Sequence, residues 1–114
     1  MTAATDPPAG AEVQRFPDIL AVTIEPEAGG TYTIAATVSS PYDTPARYAD
    51  GWRVLAPDGR LLAERELLHD HANEQPFTRS LSGVVIPPEI GEITVEGRDR
   101  EYGYGGATVT VAVP

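Results

Sequence analysis

"RLLAERELL", residues 60–68, decides the fold of this chain. Leucine, alanine, glutamate and arginine are good helix formers, so intrinsic propensity favours a helix here. Two features oppose it. The stretch follows directly on Pro57-Asp58-Gly59, a tight-turn signal that reverses the chain. It also has only nine residues and no cap, which makes a marginal helix. A strand is therefore expected, and with it the whole chain reads as all-β.

Outward from that point, period-two patterning interrupted by turn chemistry recurs on both sides. "GWRVLAP" (51–57) brings Trp52 and Val54 to one face, and "TYTIAATVSS" (31–40) sets Tyr32, Ile34, Ala36 and Val38 against Thr31, Thr33, Ala35 and Thr37. "DILAVTIE" (18–25) alternates Leu20, Val22 and Ile24 against Ile19, Ala21 and Thr23, and stops at Pro26. On the far side, "PFTRSLSGVVIP" (76–87) places Phe77, Arg79 and Leu81 together. "EITVEGR" (92–98) directs Ile93, Val95 and Gly97 inward, and "ATVTVAVP" (107–114) closes with Val109, Val111 and Val113. Seven short strands with a tryptophan on the third outline an immunoglobulin-like β-sandwich, whose strands are A, B, C, C′, E, F and G.

The composition agrees and also excludes. The chain has 114 residues, one domain's worth, with 11 Gly and 11 Pro marking many turns. Residues 1–15 are expected to be a flexible segment and 16–114 a single sandwich. Net charge is −9, which argues against nucleic acid and anionic lipid as partners. All eight basic residues are arginine, a mark of GC-rich coding before it is a mark of function. With no cysteine, disulfides, thiolate metal sites and a cysteine nucleophile are excluded. No run approaches the roughly 18 apolar residues of a membrane span. The start, "MTAATDPPAGAEVQ", has no signal-peptide pattern. Its small, polar, proline-bearing character resembles a mature exported terminus, so an exported or periplasmic protein is favoured over a cytoplasmic one.

The string "YADGWRVLAPDGRLLAERELLHDHANEQPFTRSLSGVVIP", with the later "YGYGG", resembles a family of small bacterial proteins of unassigned function. The resemblance spans residues 45–114. It implies an immunoglobulin-like or fibronectin type III-like domain, exported in at least some members. It implies no activity, ligand or catalytic residue. The chain departs from antibody-type domains in having no cysteine pair and no tyrosine in "EITVEGRD".

In such a topology the B–C, C′–E and F–G connections share one end. Here these are residues 41–50, 69–76 and 99–106, whereas the opposite end is built of short turns. Loops on a rigid scaffold are where binding residues ride. Tyr42, Tyr48, Tyr102 and Tyr104 are the candidate ligand-contacting residues, since aromatics on a glycine-bearing loop make good contact surfaces. The competing reading is that a tyrosine packs over the loop base while the glycines supply positive φ in a tight hairpin.

His69 and His71, spaced i, i+2, put both imidazoles on one side of an extended segment. Glu74 or Asp99 would complete a three-ligand Zn²⁺ or Cu²⁺ site. The competing reading has each histidine hydrogen-bonding loop backbone, with Glu74 in an ion pair to Arg79 or Arg47. Arg79, on the face of Phe77 and Leu81, is expected half-buried beside a carboxylate, and Trp52 is expected in the core. Ser80 and Ser82 have no histidine on their strand, and no oxyanion hole can be motivated, so the chain is not expected to be an enzyme.

The expected function is a non-catalytic binding or interaction module, monomeric, using the three-loop end for a protein or small ligand. A metal-binding protein of the cell envelope and a purely structural spacer are the alternatives.

Overall fold

The computed structural model describes residues 14–114. Residues 1–13, most of the N-terminal segment expected to be flexible, lie outside the described residues. The strands expected as A, B, C, C′, E, F and G are β1 (Asp18–Pro26), β2 (Tyr32–Ser39), β3 (Ala49–Leu55), β4 (Leu61–Glu66), β5 (Phe77–Val84), β6 (Glu92–Asp99) and β7 (Gly103–Ala112). The β1-β2-β5 sheet faces a β4-β3-β6-β7 sheet, and every pairing is antiparallel. Among the described residues the protein is all-β, a sandwich of seven strands.

The deciding stretch is a strand. Ala56 and Arg60 close the Pro57–Gly59 turn through Ala56 N–H donating to Arg60 O at 2.9 Å, with Gly59 at φ +89°. That turn delivers Leu61–Glu66 antiparallel onto β3, where five of its residues gain partners that a lone, short helix would have to find within itself.

The core is the one the alternation marks out. Ile34, Ala36 and Val38 of β2 meet Trp52 and Val54 of β3 and Ile93 and Val95 of β6, all fully buried. One strand departs from simple alternation. A bulge between Ile19 and Ala21 lets Ile19 point into the core, leaves Leu20 exposed, and returns Val22 and Ile24 to the inner face. A period-two reading groups Leu20 with Val22 and Ile24; the extra residue of the bulge breaks that grouping.

Both open seams of the sandwich are bridged by side chains. Asp18 Oδ1 accepts Ala107 N–H at 2.8 Å between β1 and β7, and Arg65 Nε donates to Ser80 O at 2.9 Å between β4 and β5. Ahead of β1, Phe16 and Pro17 lie on a track of glycines. A Cβ on Gly105 would stand 2.6 Å from the Phe16 ring, and one on Gly97 would stand 2.6 Å from Pro17 Cγ. The glycines of "YGYGG" therefore do two jobs. Gly103, at φ +87°, serves the hairpin between β6 and β7, whereas Gly105 and Gly106 make room for the incoming chain.

Gly106 combines φ +83° with a Cβ position that would overlap Pro17 O. Gly106→Ala is thus strained in its backbone and collides with backbone. The expected result is a loss of about 2 kcal/mol in urea unfolding, with Gly29→Ala, which meets nothing within 4 Å, losing less.

Candidate functional site

The three longer connections meet at one end, and buried polar side chains lock them together. Asp43, in the connection between β2 and β3, is 4% exposed. Its Oδ1 accepts Ala49 N–H at 3.1 Å, and its Oδ2 accepts His71 N–H at 3.0 Å across to the β4–β5 connection. Gln75 repeats the tie. Its Oε1 accepts Ser40 N–H at 2.7 Å, while its Nε2 donates to Ser40 Oγ at 3.2 Å and to His71 O at 3.0 Å. A connection that carries no strand pairing must satisfy its backbone groups in some such way.

The β6–β7 turn joins through Asp99, whose side chain is fully buried. Asp99 Oδ2 accepts from Glu101 N–H at 2.9 Å, Tyr102 N–H at 3.0 Å and Arg47 Nε at 3.2 Å. Arg100 N–H adds a bond to Tyr48 O at 3.0 Å. Burial works to raise the Asp99 pKa; the Tyr42 hydroxyl, the two N–H groups and Arg47 outweigh it and hold the carboxyl below its ordinary value. In return, burial and then the Asp99 carboxylate push the Tyr42 hydroxyl far up. The Tyr42 hydroxyl and Asp99 Oδ1 are close enough to influence each other, yet among the described residues neither has a partner in ordinary hydrogen-bond geometry.

Arg47 is the hub of this corner. Its guanidinium stacks between Tyr42 and Tyr102, 4.3 and 4.9 Å from the ring centroids, and its NH2 group reaches Gln14 O at 3.3 Å and Arg15 O at 2.8 Å. The faces of Tyr42 and Tyr102 turned to Arg47 are thereby occupied from within. Tyr102 keeps 47% of its surface exposed. Tyr48 donates its hydroxyl to Leu68 O at 3.4 Å.

Tyr104 lies elsewhere. It sits within β7, opposite Arg98, on the outer face of the four-stranded sheet. There its hydroxyl donates to Glu64 Oε2 at 2.8 Å and Arg53 lies 3.8 Å over its ring. The expected 99–106 connection is shorter than its sequence suggests, because β6 runs through Asp99 and β7 starts at Gly103.

The two histidines do stand together, with ring centroids 4.9 Å apart. His69 is exposed, its Nδ1 3.0 Å from Asp70 O. His71 is 6% exposed and lies flat on Phe77, 3.8 Å centroid to centroid at 9°. Both of its ring nitrogens are buried without a partner among the described residues. Of the two expected backbone bonds, then, the His69 ring makes one. The tie at His71 runs through its backbone instead. Burial, followed by the positive charge of Arg79 and then His69, lowers the His71 pKa; Glu74 and Asp43 pull the other way.

Among the described residues no group of three or more His, Asp or Glu side chains is placed to hold a metal ion. The structure does not bring His69, His71, Glu74 and Asp99 together as the expected three-ligand Zn²⁺ or Cu²⁺ set. Asp99 is committed to Arg47 and the β6–β7 turn, and Glu74 Oε1 to Arg79 NH2 at 2.8 Å. The Glu74–Arg79 ion pair and the half-buried Arg79 are as the alternation implies.

A depression of about 360 Å³ opens beside the histidines, lined by His69, Asp70, His71, Asn73, Glu74 and Arg79. Another of about 160 Å³, reached past Leu67 and Leu68, shares His69, His71 and Arg79 with it. Leu68 is 75% exposed, so an apolar side chain stands at the rim of polar ground. Asp43 and Gln75, which make the platform rigid, are not conspicuous in sequence. The hint was their position in connections too polar and too long to be mere turns.

Fold and site together define the class: a small all-β sandwich with one end made rigid by buried polar ties between three connections. The chain is 34% identical over 97 residues to a protein of Halomicrobium mukohataei described as "Putative lipoprotein". That match covers 85% of this chain and 47% of the relative, so the chain spans about half the relative's length. No family model matches the chain, and no solved structure matches it. Among the described residues no helix is long and apolar enough to cross a membrane.

Proposed function

We propose that this chain is a non-catalytic binding module of the cell envelope, built on an immunoglobulin-like, fibronectin type III-like sandwich. The three-against-four strand order, with β4 joined to β3 and a buried tryptophan on the third strand, supports that fold type. The description of the relative as a lipoprotein supports the envelope.

The observation that carries the binding reading is the cross-linked loop end. Asp43, Gln75 and Asp99 tie three connections into one platform, which presents Leu68, His69 and Tyr102 to solvent. A preorganised surface loses little freedom on meeting a protein or small ligand, and so more of its contact energy appears as affinity. The same ties speak against catalysis. The two buried carboxylates are spent on structural bonds, and the His71 nitrogens are out of a substrate's reach.

A photo-crosslinking amino acid at position 68, compared with one at position 58 in the opposite turn, tests this in living cells. Discrete adducts from position 68 and none from position 58 are expected. Equal labelling from both ends, as a spacer domain would give, or none from either, overturns the reading.

A further inference from the structure

His71 is a buried titratable group whose ring hydrogen-bonds to nothing among the described residues, and it sits where the β4–β5 connection is fastened down. We propose that this connection, residues 67–76, is a proton-operated latch: uptake of one proton by His71 drives its ring from the seat between His69 and Phe77 and frees the connection from β5. The proposal stands whether or not the loop end binds a ligand.

Neutral imidazole suits the seat because it can stack face to face on Phe77 at 3.8 Å. Imidazolium does not suit it. Both ring nitrogens become donors on protonation, and neither has an acceptor among the described residues. The charged groups around the ring do not repair this. Asp43 has one oxygen on Ala49 N–H and the other on the backbone N–H of His71 itself. Glu74 is held by Arg79 through Oε1. Arg79 of β5 already places its guanidinium carbon 5.6 Å from the Phe77 ring centroid, so the ring already serves a cation. His69, on the same connection, adds its own repulsion. Arg65 and Glu66 of β4 line the adjoining depression, and Arg65 is engaged with Ser80 O and Glu66 O. An imidazolium thus gains solvation by leaving, and the two depressions that His69 and His71 line give it a short way out.

Leaving has a mechanical consequence. His71 is the residue through which the connection is tied to Asp43 and Gln75, by its N–H and its carbonyl respectively. Rotating the ring off Phe77 pulls on the backbone that makes both bonds, so the tie loosens with the ring. The direction in pH follows. A histidine whose folded-state pKa lies below its unfolded value contributes stability that is fully present above the unfolded pKa, near 6.5. That contribution is lost as pH falls through the lower folded value. The latch is therefore closed at neutral pH and opens in acid.

The full chain has two histidines, so two ring signals can be followed by NMR and told apart with His69→Gln. Amide exchange, corrected for its intrinsic pH dependence, is read in parallel from about pH 7.5 to about pH 5. The expected result is that the His71 signal titrates below about 6.5 and that protection of residues 67–76 falls about tenfold with the same midpoint. Core amides of β2 and β6 should keep theirs. His71→Phe, which stacks but cannot titrate, should keep the connection protected at both ends of the range. Protection that is unchanged through the His71 titration, or equally lost in His71→Phe, overturns the proposal. Should His71→Phe fail to fold, the wild-type curves decide alone: coincident midpoints support the latch and separate midpoints refute it.

Discussion

Trp52→Ala is expected to cost about 4 kcal/mol of folding free energy, read as a lowered midpoint in urea with little change in slope. Trp52 is fully buried at the centre of the sandwich, among residues of both sheets. Truncating it removes the largest buried side chain and leaves a cavity that Ile34, Val54, Ile93 and Val95, held on paired strands, can only partly collapse. The loss is one of packing alone, because the indole N–H has no hydrogen-bond partner among the described residues. Trp52→Phe separates these contributions. It keeps most of the volume and removes the unpaired donor, so its cost should be under half that of alanine. A phenylalanine variant as unstable as the alanine one would show that the indole N–H has a partner after all. Since a small domain is stable by only about 5–15 kcal/mol, the alanine variant should stand near the limit of folding.

Asp99→Ala is expected to cost about 3 kcal/mol. It strands two N–H groups of the β6–β7 turn and removes the carboxylate that Arg47 serves. The value is set toward the lower end for a broken buried pair because Arg47 keeps 26% side-chain exposure and can turn to water. Asp99→Asn, which retains an acceptor but not the charge, should fall between the two. The pH dependence identifies the residue. A carboxyl held below its ordinary value of 3.8 stabilises the fold fully above that pH, and the contribution is lost as pH falls through the lower folded value. The gap between wild type and Asp99→Asn should therefore be constant from neutral pH to about pH 4 and narrow below it. A gap that holds its size in strong acid would mean that Asp99 acts by shape and not by charge.

Both variants also bear on the loop end. Losing Asp99 uncouples Arg47 from the β6–β7 turn, and with it the stack that Arg47 makes with Tyr42 and Tyr102. Trp52 lies away from that network, so its variants should weaken the whole fold without selectively loosening the three connections. Amide exchange at residues 100–103 distinguishes the two behaviours.

Much of this molecule is legible in its sequence, and the reason is periodicity. Alternation at Tyr32–Val38, Trp52–Val54, Phe77–Leu81 and Ile93–Gly97 places each side chain on the face it occupies in the sandwich. The Pro57–Gly59 turn settles the one segment whose propensity points the other way. Once the strands alternate in direction, which connections share an end follows too, and so does the ion pair between Arg79 and Glu74.

What the sequence left undecided depends on a third dimension. Whether Leu20 or Ile19 faces inward turns on a bulge, a single unpaired residue that no pattern of apolar positions marks. Tyr104 looks like a loop residue until β7 is seen to begin one position before it. His69, His71, Glu74 and Asp99 share metal-binding chemistry, yet their roles are set by neighbours distant in sequence. Arg47 holds Asp99 from 52 residues away, Asp43 holds His71 from 28, and Phe77 takes the imidazole ring. Periodicity belongs to the local chain and survives in a one-dimensional reading. Hydrogen-bond partnership at a loop end is decided by which polar groups burial leaves within three ångströms of one another, and only the closed sandwich determines that.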